Sequence, residues 1–227
     1  MSRLRPFFSY YGSKWRLAPC YPIPKYKTIV EPFAGSACYS LVHHTKDVHL
    51  VDKNPVVCGI WDYLIKVKES EIESLPLLAS GESIPDSLVK EARDLLGFWV
   101  SKGVASPRQT MTTGVNRGHW SASIRARISS QLKYIRHWQV SQGSYSALEN
   151  QAVTWFVDPP YVDGGEHYPA GSSGIDFPAL GAWCKSRQGQ TIVCENQGAT
   201  WLPFTEFKRT KGMRKQTTEV VWVGGVR

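Results

Sequence analysis

The stretch AVTWFVDPPYVDGG, residues 152–165, joins an apolar run to an acid, two prolines and a tyrosine. The run 153–157 has the length and the apolar character of a buried strand. The prolines end it, because proline has no backbone N–H to donate to a neighbouring strand. A strand terminator in an unrelated α/β protein would account for the prolines, but it leaves Asp158 and Tyr161 unexplained. The segment therefore also predicts a site of chemistry at a strand end.

The composition predicts a globular protein with an anionic partner. The chain has 227 residues, 42% of them hydrophobic, with nine tryptophans, which is enough for one large domain or a core with a small insertion. Its 27 Lys and Arg exceed its 19 Asp and Glu, giving a net charge of +8 and a pI of about 9.3. Such a surplus favours nucleic acid as the partner, the alternative being a basic surface without a specific one.

Several classes of protein are disfavoured by the sequence. The five cysteines form no CxxC pair, so we expect buried free thiols in a reducing compartment instead of disulfides or zinc. His43, His44 and His49 lack helical ligand spacing, and no metal is predicted. There is no signal-length apolar stretch at the start, and no run of ~18 apolar residues anywhere. We expect no membrane association and a cytoplasmic location.

Short apolar runs alternate with helical patterns along the chain. Strands are predicted within 28–37, 47–54, 153–157 and 190–196, and helices within 38–45, 56–75, 87–101, 123–139 and 177–186. The last two runs, FTEFKRTK and TTEVVWVGG, alternate about Gly212 and predict an antiparallel hairpin. Together these elements predict a three-layer α/β sheet with a terminal β-hairpin.

Ligands of an open α/β sheet bind at the carboxyl ends of its strands. Four such ends are predicted here: 33–36, Asp52, 142–145 and 158–161. The first contains Gly35, which lets the backbone approach a ligand at a helix start. Asp52 is the expected partner for the ribose hydroxyls of a nucleoside-containing cofactor.

The order of FFSYYGSKWRL, VEPFAGSA, LVDKN and FVDPPY resembles that of Dam-like DNA adenine-N6 methyltransferases, the alpha group of amino-methyltransferases. The chain is most similar to short phage or prophage members, and the resemblance extends to GSYSAL, TIVCENQGATWLPF and TTEVVWV. It implies a Rossmann-like S-adenosylmethionine-dependent methyltransferase fold. It also implies a catalytic domain of residues 1–60 and 124–227, with a helical insertion and target-recognition region at 61–123.

The resemblance implies S-adenosylmethionine as the cofactor. Phe33 to Ser36 would wrap its methionine part, Asp52 would hold its ribose, and Lys14 would border the base pocket. The full set of implied cofactor contacts is Tyr10, Tyr11, Gly12, Lys14, Glu31, Phe33, Ala34, Gly35, Ser36, Asp52, Ser144, Tyr145 and Asp158.

The four residues of DPPY are the implied catalytic set. An adenine amine is a poor nucleophile, so a site must accept hydrogen bonds from it as the nitrogen becomes positive. Asp158 would accept one and the Pro159 carbonyl the other, while Pro160 keeps the turn rigid. Tyr161 would offer a face on which an extruded base stacks. Methyl transfer is then a direct displacement without a covalent enzyme nucleophile.

Two positions depart from the family pattern. Ala37 stands where relatives often have a second glycine, and Ser144 stands where they often have an aspartate that contacts the cofactor's adenine. Serine accepts a hydrogen bond without charge assistance, so we expect a modest affinity for the cofactor.

Residues 103–127 form the candidate recognition segment for double-stranded DNA. They combine phosphate-binding, base-edge and stacking side chains: Arg108, Asn116, Arg117, His119, Trp120 and Arg125. A solvated helix face is the alternative for Arg125. The basic run KRTKGMRK near the end is either a source of added affinity for the DNA backbone or a solvated hairpin turn. The recognition sequence stays open.

Other functions remain compatible with these residues. The substrate could be RNA or the N4 amine of cytosine, although cytosine enzymes more often have serine in place of Asp158. A non-catalytic DNA-binding relative is a third possibility. We expect a monomer or weak dimer without a nuclease domain, and its purpose, such as evading restriction, marking replication or regulating transcription, is open.

Overall fold

The computed structural model describes residues 3–112, 119–165, 168, 171–211 and 216–225. The strands are β1 (Thr28–Glu31), β2 (Asp47–Asp52), β3 (Gln139–Gln142), β4 (Val153–Val157), β5 (Gly189–Asn196), β6 (Thr205–Lys211) and β7 (Gln216–Gly224). The helices are α1 (Cys38–Val42), α2 (Pro55–Lys66), α3 (Glu69–Ser74), α4 (Lys90–Val100), α5 (Ala122–Gln131) and α6 (Phe177–Ser186).

The strands form one seven-stranded sheet in the order β3-β2-β1-β4-β5-β7-β6. Strands β1 to β5 pair in parallel, while β7 runs antiparallel to both β5 and β6. The predicted α/β class and the terminal antiparallel hairpin are confirmed. Because the parallel strands share one direction, their carboxyl ends meet at one edge of the sheet.

Apolar side chains cover both faces of the sheet. In β4, Phe156 packs into a large cluster with Trp61 and Phe98, whereas Trp155 packs into a second cluster with Leu180 of α6. Successive residues of a strand point to opposite faces, so a strand buried on both faces reads as a continuous apolar run. The apolar run 153–157 is therefore a central strand between two helical layers.

The predicted helix over 56–75 is two helices, and this corrects the prediction. Helix α2 ends at Lys66, and Val67 has an extended backbone (φ −61°, ψ 143°). The guanidinium of Arg136 donates to the carbonyls of Ile65, at 2.7 Å, and Val67, at 2.6 Å. The end of a helix leaves its last carbonyls without backbone partners. Arg136, which is distant in the sequence, donates hydrogen bonds to these carbonyls where the helix ends. The apolar spacing alone gave no sign of this contact.

Helix α5 is also shorter than predicted. It ends at Gln131 and continues as a 3-10 turn, Leu132–Tyr134. Ile135 and Trp138, which continued the apolar spacing, are buried beyond the helix. The apolar spacing continues past the end of the α-helix because both side chains are buried, although their backbone is no longer α-helical.

The segment 61–123 shares an apolar cluster with the rest of the chain. Leu50 of β2, Leu95 of α4 and Ile128 of α5 belong to the same cluster. Its role as a separate recognition region stays a prediction.

Of the five cysteines, which are all free, Cys20 is exposed and the other four are buried. Within the described ranges, no helix is long and apolar enough to cross a membrane.

Candidate active site

A cavity of about 570 Å³ lies at the carboxyl ends of β1, β2 and β4. All thirteen residues that were predicted to contact the cofactor line it. The last residues of β1 and β2, the segments after β1, β3 and β4, and the N-terminal segment supply them, because the parallel strands end at the same edge of the sheet. The structure thus brings together residues that come from five separate stretches of sequence.

The glycine turn after β1 is held by Asp52. The backbone N–H of Gly35 donates to Oδ2 of Asp52 at 3.0 Å, and the Gly35 carbonyl accepts from the indole of Trp61 at 2.8 Å. Gly35 and Ala37 both have left-handed backbones, with φ of 45° and 49°. This geometry explains why a second glycine suits position 37, since the left-handed region costs a residue with a Cβ about 1–2 kcal/mol.

Asp52 has acceptor capacity left for a ligand. Its Oδ1 accepts from the N–H of Asn54 at 2.9 Å and its Oδ2 from Gly35. Burial raises the pKa of this carboxyl, and the backbone donors oppose that effect. Each carboxylate oxygen accepts more than one hydrogen bond, so the lining carboxylate is suited to vicinal hydroxyls.

Glu31 is a buried acid at the end of β1. It is 2% exposed, and its Oε1 accepts from the N–H of Ser40 at 2.8 Å. Burial raises the pKa of this carboxyl to about 8. A positively charged ligand in the cavity would favour its ionised form.

The other end of the cavity is aromatic. The rings of Phe33 and Tyr145 lie 5.7 Å apart, tilted by 30°. Ser144 lies next to them, and its Oγ accepts from the hydroxyl of Ser146 at 3.0 Å. Asp176 also lines this cavity, and it caps α6 by accepting from Ala179 at 2.9 Å. Asp176 was not among the predicted site residues, although an acid before Phe-Pro is a helix-start signal.

The fit of these residues to S-adenosylmethionine can be judged from their chemistry. The cofactor carries ribose hydroxyls, an adenine ring and positive charge. The cavity offers Asp52 at the end of β2, the rings of Phe33 and Tyr145, and the carboxyl of Glu31. Gly12 brings its backbone close to Tyr168, at a φ of 69° and with no room for a Cβ. These carboxylates and aromatic rings match the hydroxyls, the adenine ring and the positive charge of the cofactor.

Asp158 follows β4 and forms an ion pair with Lys14. The Nζ of Lys14 lies 3.1 Å from Oδ1 of Asp158, with side chains 12% and 19% exposed. The same Nζ lies 4.2 Å from the ring centroid of Tyr161. Among the described residues, Asp158 Oδ1 is buried and accepts no well-directed hydrogen bond. Burial would lower the pKa of Lys14, but the charges of Asp158 and Glu219 outweigh it and raise that pKa.

Tyr161 is anchored by Glu219, which was not among the predicted site residues. Its hydroxyl donates to Oε1 of Glu219 at 2.6 Å, and the hydroxyl of Tyr21 donates to the same oxygen at 2.7 Å. Glu219 lies in β7 and is 6% exposed. An acid inside the apolar run TTEVVWV was the signal available in the sequence. Pro160 lines the cavity, whereas Pro159 and Tyr161 are not among its lining residues.

The described residues of the predicted DNA-binding set lie outside the cavity lining. Arg108 is exposed and His119 is half-buried. Trp120 is 5% exposed, and its indole donates to the carbonyl of Pro76 at 2.7 Å. Arg125 donates to the carbonyl of Leu75 at 2.6 Å. Asn116 and Arg117 lie outside the described residues.

Comparison with known proteins gives one family match. Residues 10–93 match the model of the D12 class of N6 adenine-specific DNA methyltransferases. No curated protein matches the chain significantly. Among solved structures, the rRNA methyltransferase aviRa of Streptomyces viridochromogenes is 14% identical, with 94% of this chain and 86% of that chain covered and a TM-score of 0.42. The Escherichia coli protein yhhF is 10% identical, with coverages of 93% and 81% and a TM-score of 0.41.

The family match begins at Tyr10 and includes the glycine turn and Asp52, which line the cavity. The mixed seven-stranded sheet with antiparallel C-terminal strands is typical of the Rossmann-like fold of S-adenosylmethionine-dependent methyltransferases. Over residues 10–93, the chain is similar to the D12 class of N6 adenine-specific DNA methyltransferases, a family that uses S-adenosylmethionine as methyl donor.

Proposed function

We propose that the chain is a site-specific DNA adenine-N6 methyltransferase that acts on an adenine flipped out of double-stranded DNA. One observation carries this proposal. Asp158, the acid of the DPPY motif, has a buried oxygen without a well-directed hydrogen bond in the cavity that also contains the glycine turn and Asp52. An acceptor placed beside the predicted cofactor residues is what a transferred amine requires.

The cofactor residues keep the roles that the sequence implied. S-adenosylmethionine supplies a methyl group activated by a positively charged sulfur. Phe33 to Ser36 hold its methionine end beside Glu31, and Asp52 accepts hydrogen bonds from its ribose. Tyr145 and Ser144 flank its adenine. The lining of the cavity by all these residues supports this arrangement.

The catalytic residues act on the target amine. Asp158 Oδ1 and the Pro159 carbonyl accept hydrogen bonds from its two hydrogens, which stabilises the positive charge that develops on the nitrogen as the methyl group leaves the sulfur. The methylated nitrogen then releases one of these protons to water. Pro160 keeps the segment rigid, and Tyr161 offers its ring for stacking. Lys14 occupies the neighbourhood of both Asp158 and Tyr161, so its ammonium has to shift when the base enters.

The recognition region is proposed to lie within 61–123, attached to a catalytic domain of residues 1–60 and 124–227. Arg108, Asn116, Arg117 and His119 are the proposed DNA contacts. Trp120 and Arg125 are bonded to backbone carbonyls of 75–76, which favours a role in holding the recognition loop on the core. We propose a chain that acts as a monomer or weak dimer, without a metal.

The substrate class is tested by transfer of labelled methyl from S-adenosylmethionine to unmethylated duplex DNA and to an RNA of matched sequence, followed by nucleoside chromatography. The proposal predicts labelled N6-methyldeoxyadenosine from DNA, at one recurring short sequence when the products are mapped. Labelled N4-methyldeoxycytidine, or label in RNA alone, would overturn the proposed substrate. Lack of transfer to either nucleic acid by folded protein would indicate a non-catalytic relative.

A further inference from the structure

Strand β7 places a buried acid behind the DPPY segment. Glu219 pairs with Asn196 of β5 and with Lys208 of β6, so its backbone is fixed inside the antiparallel part of the sheet. Its Oε1 accepts two phenol hydroxyls, from Tyr161 at 2.6 Å and from Tyr21 at 2.7 Å. Glu219 is not among the residues that line the cavity. It therefore contacts the proposed base site only through other side chains.

The cost of burying this carboxylate is offset by named partners. Burial raises the pKa of Glu219, while the charge of Lys14 and the hydroxyls of Tyr161 and Tyr21 lower it. The negative charge of nearby Asp158 also raises the pKa of Glu219. Hydrogen bonds to an ionised acceptor are shorter and about twice as strong as neutral ones. The two short contacts are therefore strongly directional restraints on the tyrosines.

The two tyrosines differ in how far they depend on Glu219. The ring of Tyr21 is stacked on Phe207, with centroids 4.9 Å apart, and meets the edge of Phe156 at 5.2 Å. Tyr161 has the prolines on its backbone side, the Glu219 bond at its hydroxyl, and Lys14 Nζ over its ring face. A swing of the Tyr161 side chain about its Cα–Cβ bond would carry the hydroxyl away from Glu219, so this bond fixes the position of the ring.

We propose that Glu219 is a positioning residue for methyl transfer, which fixes the ring of Tyr161 for stacking of the flipped adenine. The inference rests on the proposed function, because it assigns the Tyr161 ring to the target base. It adds a requirement that the terminal hairpin, remote in sequence from the DPPY motif, supplies part of the base site.

The test compares Glu219→Ala with Glu219→Gln in steady-state methyl transfer. Alanine removes the acceptor, and we expect kcat to fall about ten- to hundredfold. The KM for S-adenosylmethionine should stay within about twofold, because Glu219 does not line the cavity. Glutamine has a side chain of the same length with an acceptor oxygen at its end, so Glu219→Gln should keep most of the wild-type kcat. Equal kcat values in the two variants would overturn the proposal.

Two further variants separate positioning from stability. Tyr21→Phe removes the other phenol bond to the same oxygen and should leave kcat within about twofold of wild type. Tyr161→Phe should lower kcat as Glu219→Ala does. The double variant that combines these two substitutions should have a kcat no lower than that of each single variant. Additive losses would contradict a shared role. Tyr161→Phe and Glu219→Gln keep the inference testable if the alanine variant does not fold.

A direct readout of stacking is 2-aminopurine fluorescence at the target position of the DNA. Wild type and Glu219→Gln should give the same signal on binding, and Glu219→Ala should give an altered one. An unaltered signal in folded Glu219→Ala would overturn the inference while leaving the proposed function intact. If the wild-type protein itself methylates no adenine, the proposed function fails first, so the two failures are distinguishable.

Discussion

The Nζ of Lys14 lies 3.1 Å from Oδ1 of Asp158, although the two residues come from opposite ends of the cavity-forming sequence. One belongs to the aromatic-glycine-lysine element near the start of the chain and the other to the DPPY motif. Both side chains are largely buried, so solvent screens their attraction only weakly. The pair therefore orients the proposed catalytic acid before a base arrives.

Removing Lys14 should destabilise the fold. In Lys14→Met the carboxylate of Asp158 is left buried without its cation, and we expect a loss of about 2–4 kcal/mol in the free energy of unfolding. The double variant with Asp158→Asn should regain part of that loss, because the uncompensated charge is gone. Urea titration of the wild type, both single variants and the double variant measures the coupling. A fully additive cycle would show that the pair contributes nothing.

Glu31 should make stability depend on pH. Its pKa in the folded protein is about 8, above the ordinary value of 4.5, so the folded state binds the proton more tightly than the unfolded state. The stability that this provides is fully present below pH 4.5 and is lost as the pH rises through 8. Relative to Glu31→Gln, wild type should therefore lose about 4 kcal/mol between pH 5 and 9. Urea unfolding at several pH values checks this, and a constant difference would contradict it.

Ser144→Asp should strengthen binding of S-adenosylmethionine. Position 144 lines the aromatic end of the cavity, where the resemblance places a charged acceptor for the cofactor's adenine amine. A charge-assisted hydrogen bond in place of a neutral one should lower Kd about fivefold. Calorimetry measures it, with Ser144→Asn as the neutral control. An aspartate variant that binds no more tightly than the asparagine variant would count against the assignment.

Arg108→Ala should weaken DNA binding evenly across sequences. Its side chain is exposed, and loss of one phosphate contact should reduce the slope of log K against log salt by about one. Lys27→Ala is a control, since that lysine is 87% exposed, pairs with Asp47 and precedes β1, at the sheet edge opposite the cavity. Binding isotherms at several salt concentrations measure both. Equal effects of the two substitutions would place the DNA surface elsewhere.

The sequence predicted those features that a local pattern encodes. The apolar run of β4 with its DPPY end, the glycine turn, the Asn54-Pro55 start of α2 and Asp52 after β2 are each contained in a few consecutive residues. The parallel order of the strands then places them at one edge of the sheet. This is why so much of the cavity lining followed from the motifs.

The missed features are pairings between distant residues. Tyr21 and Glu219 are separated by 198 positions, and Arg136 reaches the end of α2 from about 70 positions away. No local spacing encodes such contacts. Trp120 shows the same limit, since an aromatic ring in a polar segment suits base stacking by composition, yet its burial depends on the packing of the whole region.

The most direct test of the central claim is single-turnover methyl transfer to duplex DNA by wild type and by Asp158→Ala, with binding of DNA and cofactor measured in parallel. The account predicts N6-methyladenine from wild type and a rate at least about a hundredfold lower from the variant, because the acceptor for the developing charge is gone. Binding of DNA by the variant should remain close to that of wild type. If folded Asp158→Ala transfers methyl at a rate near that of wild type, Asp158 does not hold the target amine.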